Sequence, residues 1–170
     1  MRKTLIIADK ILASVADEKP LIYENAALLV CQGRIAKIDK SEKLLKLYPN
    51  VKKIGGAGLV AIPGFINSHH HVGLTPFQLG SPDLPLELWF ASRIGLRVLD
   101  PYLDTLYSAF EMISSGITTV QHLHPRAMGG REGLVKTSEA VLSAYSAIGM
   151  RVSFSMALRN QNRLVYWDDN

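Results

Sequence analysis

Cysteine is almost missing from this chain. The one thiol, Cys31, rules out an internal disulfide and any zinc site assembled from cysteines. It lies in the strand-like run 26–31, where a buried packing role is expected. Long apolar stretches are missing too. No segment reaches the ~18 uncharged apolar residues of a membrane span. Residues 1–10 begin like an export signal, but Asp9 and Lys10 break the apolar stretch too early for a secretory core. A cytoplasmic protein without a membrane partner is the expectation. A strong excess of one charge is also lacking. Net charge is +4 and the basic residues are scattered. The lysine-rich part, residues 37–53, is interrupted by Asp39 and Glu42, so it reads as a solvated face and not as a nucleic-acid footprint. Gly129-Gly130 lacks the Lys-Ser/Thr of a phosphate loop. No internal repeat or low-complexity linker is present.

What stands out instead is a histidine cluster at the end of an apolar run. Gly58-Leu59-Val60-Ala61-Ile62 leads into Pro63-Gly64-Phe65-Ile66-Asn67-Ser68-His69-His70-His71. No charge interrupts residues 55–66, which suits a strand buried on both faces of a parallel sheet. Pro63-Gly64 is a turn signal. Side chains alternate along an extended chain, so His69 and His71 project together and His70 projects the other way. Two imidazoles on one face, ~7 Å apart by the strand rise, can converge on one metal ion. A lone His-x-His is more often polar surface; the preceding buried-looking strand is what favours a ligand pair. Asn67, two residues earlier, is expected on the same face, where it either steadies a ligand or bonds the turn backbone.

The chain divides into two compositional parts. Residues 1–57 read as short strands and turns. A strand is expected over 5–12, and strands over 26–31 and 34–39 flank Gln32-Gly33, a hairpin signal. Residues 41–47 suit a helical turn or two capped by Ser41. From residue 58 the pattern becomes strand, then helix, repeated. Strand one is expected over 58–67. Residues 84–98 are helical in places, with Leu84, Leu88 and Ala91 on one side. Asp100-Pro101 opens a helix that ends at Gly116 and is expected to bury Leu103, Leu106, Tyr107, Phe110 and Ile113. Strand two follows over 117–122, a helix over 138–148, and strand three over 151–158. This alternation predicts an α/β fold with a parallel sheet.

The stretch from Gly58 to His71 resembles the signature of the amidohydrolase superfamily. Leu74-Thr75-Pro76-Phe77, with Asp83-Leu84-Pro85-Leu86-Glu87-Leu88-Trp89, is similar to the loop after the first strand in the triazine hydrolase and aminohydrolase-deaminase group. Residues 111–120 are similar to the helix end and second strand of that group. The resemblance covers about residues 1–158. It implies part of a small β-sandwich over residues 1–57. The first three or so β/α units of a metal-dependent (β/α)8 barrel would occupy residues 58–170. Three strands cannot close a barrel that needs ~250 residues, so the chain is expected to be part of a longer protein and inactive by itself.

By the same resemblance, His69 and His71 bind one divalent ion, Zn²⁺ or Fe²⁺. The reaction implied is hydrolysis of a small molecule at an sp² carbon bearing a leaving nitrogen or halide, with a nitrogen heterocycle as substrate. The third and fourth ligands and the general acid–base are expected on later strands, so no catalytic residue is assigned within the chain. Intact relatives commonly form homo-oligomers, and the same is expected of the whole protein. His122 and His124 form a second pair at the end of strand two. They either line the substrate pocket, orient a ligand histidine, pack as structural histidines, or bind metal themselves. Gln121-His122 departs from the acidic residue frequent there in the group, and Gln78-Leu79 from its Arg-Gly. Trp89 either packs against a ring substrate or covers the barrel as a helix residue. Two other readings stay open: a hydrolase of cyclic amides or imidazolones, and a non-catalytic binding module.

Overall fold

The computed structural model describes residues 3–14, 19–72, 83–94, 99–125 and 129–157. They fall into two compact units, Met1–Pro63 and Gly64–Asn170. The division comes after Pro63, later than the 57/58 boundary expected from composition.

The first unit holds β1 (Lys3–Ser14), β2 (Leu21–Cys31), β3 (Arg34–Lys40), α1 (Ser41–Leu47) and β4 (Lys52–Ala61). They form one sheet in the order β3-β2-β1-β4. β1 and β2 are antiparallel, as are β2 and β3, while β4 runs parallel to β1. Gln32 and Gly33 turn the β2–β3 hairpin with φ of 52° and 74°, as a tight two-residue loop requires. Alternation along the strands gives the sheet two apolar faces. Leu5, Ala27 and Leu29 pack with Leu44 of α1; Ala8, Ile11, Ala26 and Leu28 make a second cluster. Ser41 is the first residue of α1 and not its cap: Lys40 holds that position, without a side-chain cap bond. Cys31 is half-buried at the strand end.

The strand expected over 58–67 is in fact two. Residues 58–61 end β4, an edge strand of the first sheet. The lack of charge over residues 58–61 does not come from burial, since Leu59 is 50% and Val60 60% exposed. The glycines are there for the backbone. Gly55 has φ of 87°, and a Cβ on it would overlap the carbonyl of Ile7. Gly58 donates its N–H to Asp9 Oδ2 at 2.8 Å, where the β1–β4 register shifts. Pro63, with no N–H to give a ladder, separates the two strands.

The second unit begins with β5 (Phe65–His70), followed by α2 (Leu86–Ile94), α3 (Pro101–Ser114), β6 (Ile117–His124), α4 (Gly130–Ile148) and β7 (Arg151–Met156). Its sheet is all parallel, in the order β5-β6-β7. Asp100 caps α3 by accepting the Leu103 N–H at 3.0 Å, and Pro101 occupies the first turn. α4 starts at Gly130, well before the expected 138, and ends at Gly149 with φ of 77°. Ala109, Met112, Val120, Val141, Tyr145 and Met150 form the core between α3, α4 and the sheet.

α3 does not bury the stripe its large apolar residues suggest. Its buried residues are Asp104, Thr105, Ser108, Ala109 and Met112, while Leu103 and Phe110 are 58% and 59% exposed. The small residues also recur at helical spacing, so this helix has two competing stripes. The compact one packs against α4 and the sheet. The bulky one lines an apolar groove of about 280 Å³ with Leu99, Leu106 and Tyr107. Phe65 and Ile66 of the edge strand β5 are exposed as well. The stripe expected on α2 is likewise outward: Leu88 and Ala91 are exposed. No helix among the described residues is long and apolar enough to cross a membrane.

Candidate metal centre

β5 carries the histidine cluster to the C-terminal end of the parallel sheet. The rings of His69 and His71 meet edge to face, and their Nε2 atoms lie 3.0 Å apart. Two imidazole nitrogens on one tetrahedral zinc are about 3.3 Å apart, given Zn–N bonds of ~2.0–2.1 Å. The pair therefore stands near ligand spacing. His69 is exposed and His71 half-buried, so a cation can reach them.

The tautomer of His71 follows from its partner. Its Nδ1 lies 2.6 Å from the carbonyl oxygen of Leu123 on β6. A carbonyl only accepts, so Nδ1 carries the proton, and in the neutral ring Nε2 keeps its lone pair. That is the arrangement in which metal-bound histidines are held. Among the described residues, no third His, Cys, Asp or Glu joins the two to make a fuller ligand set. The donors fit a divalent ion that prefers imidazole, but the described residues supply only two of them.

Asn67 is not placed as strict alternation predicts. Asn67 pairs with Val120 and His70 with His122, so β5 takes one residue more than β6 between these pairs. This bulge turns Asn67 away from the face that carries His69 and His71. Its Nδ2 reaches Met112 Sδ of α3 at 3.6 Å, and its Oδ1 accepts the main-chain N–H of His69 at 3.2 Å. Asn67 thus holds the backbone of His69 from behind the sheet. His70 lies on that rear side too, its ring 5.9 Å from that of His122. Burial pushes its pKa below the usual histidine value, against the pull of Asp104 and Glu111. Its buried Nε2 has no hydrogen-bond partner among the described residues.

His122 and His124 form a second cluster, between the sheet and α4. His122 is fully buried and His124 is 8% exposed. His122 Nδ1 lies 2.9 Å from the Tyr145 hydroxyl, and its Nε2 3.2 Å from His124 Nδ1. Phe154 of β7 packs against both rings. Burial above all, with help from His124, His70 and His71, lowers the pKa of His122 to about 3. Burial also raises that of the Tyr145 phenol. The cluster is therefore uncharged at neutral pH on the side of His122. His122 is thus enclosed by Tyr145, His124 and Phe154 inside the second unit.

Two participants were not legible as site residues. The Leu123 carbonyl carries no side-chain signal. Tyr145 sits four residues after Val141 on the apolar face of α4, and a buried tyrosine implies a partner for its hydroxyl. Trp89 is half-buried on α2, and Asp83 and Glu87 are exposed. Residues 74–79 lie outside the described residues.

No family model matches the chain. It is 32% identical over 132 residues to a 5-methylthioadenosine/S-adenosylhomocysteine deaminase from Thermodesulfovibrio yellowstonii, a match covering 73% of this chain and 30% of that protein. Its fold is similar to a solved triazine hydrolase variant, with a TM-score of 0.77 and 22% identity over 99% of this chain and 39% of the other. It is also similar to atrazine chlorohydrolase from Arthrobacter aurescens TC1 complexed with zinc, with a TM-score of 0.67 and 22% identity over 90% of this chain and 35% of that one. The chain thus spans roughly a third of the length of these proteins.

Proposed function

Because this chain belongs to the amidohydrolase superfamily over the stretch it spans, we propose that it contributes the first metal ligands of a hydrolase acting on a non-peptide carbon–nitrogen bond. The substrate class we infer is an aminated or halogenated nitrogen heterocycle. The observation that carries this reading is the convergence of His69 and His71, with Nε2 atoms 3.0 Å apart at the end of a parallel strand. The deaminase relative and the triazine-type folds support it. The zinc complex of a similar fold supports a divalent ion, Zn²⁺ or Fe²⁺.

In this reading His69 and His71 present neutral Nε2 atoms to the ion. The ion, when bound, supplies Lewis acidity and brings the pKa of a water toward neutrality. His71 is kept in the right tautomer by the Leu123 carbonyl, and Asn67 fixes the backbone of His69. A catalytic zinc-type site keeps three protein ligands and a water. The remaining ligands, and the group that shuttles the proton, would come from further strands of a barrel begun by β5, β6 and β7. The sheet of the first unit would be part of the accompanying β-sandwich.

The test compares two polypeptides. The intact protein should release ammonia from an aminopurine nucleoside or an aminotriazine in a zinc-dependent way, and the 170-residue chain alone should not. Equal turnover by both, or an intact protein that binds no divalent metal, would sink the reading.

A further inference from the structure

Behind the histidine pair runs a chain of three buried groups: Tyr145, His122 and His124. The polarity of its hydrogen bonds follows from the donor inventory. The Tyr145 side chain is fully buried, and His122 Nδ1 is its hydroxyl's one partner among the described residues. A buried O–H without an acceptor is costly, whereas a hydroxyl oxygen with a spare lone pair costs little. Tyr145 therefore donates to His122 Nδ1. A neutral imidazole that accepts at one nitrogen carries its proton on the other. His122 then donates from Nε2 to His124 Nδ1, 3.2 Å away. By the same rule His124 carries its proton on Nε2.

We propose that Tyr145 is a positioning residue, which fixes His122 and His124 as Nε2–H tautomers and so holds the end of β6 for the His69–His71 pair. Leu123, whose carbonyl accepts the His71 Nδ1–H, lies between these two tethered histidines. The arrangement also decides among the uses open to the second pair. Each ring has Nδ1 occupied as an acceptor and Nε2 protonated, so neither offers a lone pair to a cation. The divalent ion is left to His69 and His71. The link to metal rests on the proposed function above; the tautomers do not.

The experiment uses the 170-residue chain with isotope-labelled histidine, free of metal and at neutral pH. Long-range proton–nitrogen spectra distinguish protonated from bare ring nitrogens. Protons on Nε2 of both His122 and His124 are expected. A proton on His122 Nδ1 overturns the proposal. Tyr145→Phe keeps the ring and removes the donor, so His122 should redistribute between tautomers while the amide spectrum stays folded. An unchanged His122 tautomer in that variant also overturns it. Should the variant fail to fold, the spectrum of the unaltered chain decides alone.

Zinc titration provides a second readout. Loss of a direct partner of a metal-bound histidine weakens metal binding ~10–100-fold, and Tyr145 acts one step further away, so a drop of ~2–5-fold is expected in Tyr145→Phe. An unchanged affinity overturns the positioning role. If the unaltered chain and the intact protein both bind no zinc, the metal reading fails while the tautomer result still stands or falls separately.

Discussion

His71 and Leu123 meet across the β5–β6 pair, where the imidazole Nδ1–H donates to the main-chain carbonyl at 2.6 Å. This single bond leaves Nε2 as the lone-pair nitrogen and points it at His69. It follows that the two histidines should bind a divalent cation as a unit. In the intact protein, His69→Ala and His71→Ala should each lower zinc content from about one ion per chain toward none, measured by elemental analysis after dialysis. His71→Asn keeps a hydrogen-bonding side chain of similar reach but loses the imidazole, and it should behave like the alanine variant. Retention of a full equivalent of zinc in any of the three would contradict the assignment.

The buried histidines make stability depend on pH with a defined sign. The pKa of His122 is about 3 in the folded chain, against an ordinary value of 6.5. Between these values the unfolded state binds the proton and the folded state does not, so stability falls as pH drops. His70 is shifted the same way by burial. Well above pH 6.5, where the unfolded histidines are also neutral, neither contributes a pH dependence. From there down toward pH 3, His122 costs up to about 1.4 kcal/mol for each pH unit. Denaturant midpoints of the metal-free chain should fall across this window, and His122→Gln should flatten the fall.

Gly64 lies against Thr118 at the start of the β5–β6 pair. A Cβ at position 64 would overlap the Oγ1, Cγ2 and Cβ atoms of Thr118. Overpacking a site with little freedom to relax costs ~1–3 kcal/mol. Gly64→Ala should therefore lower the unfolding free energy by about that amount. Gly64→Ala combined with Thr118→Gly should recover most of it, beyond the additive expectation. A Gly64→Ala chain as stable as the unaltered one would show that the strands separate freely here.

The cap of α3 is a local and separable feature. Asp100 accepts the Leu103 N–H at 3.0 Å with a carboxylate at the positive end of the helix. Asp100→Ala should cost ~1 kcal/mol and Asp100→Asn less than half of that, read from chemical denaturation. Equal losses for both would mean that charge, and not the hydrogen bond, carries the cap.

Much of this molecule is legible in its sequence, and the departures have physical causes. The hairpin at Gln32-Gly33, the Asp100-Pro101 helix start and the Gly149 stop are local signals, decided by φ preference and backbone donors within a few residues. The histidine pair was legible for the same reason, since alternation along extended chain is a local rule. Strict alternation puts Asn67 on the wrong face, because a bulge that arises from pairing with β6 interrupts it. Residues 58–67 read as one strand but form parts of two, because an uncharged run looks the same whether it is buried or is a glycine-rich edge. The buried face of α3 is not the one its bulky residues suggest, because the helix carries two stripes and helical spacing does not say which one meets a neighbour.

Composition and order along the chain were enough to specify an α/β fold and two imidazoles on one strand face, because these depend on neighbours in sequence. Only the folded arrangement put the Leu123 carbonyl against His71, buried His122 beneath Tyr145, and turned the bulky face of α3 outward. Those features join residues far apart in the chain, and their energies come from burial and from hydrogen bonds that exist only once β5, β6 and α4 are packed together.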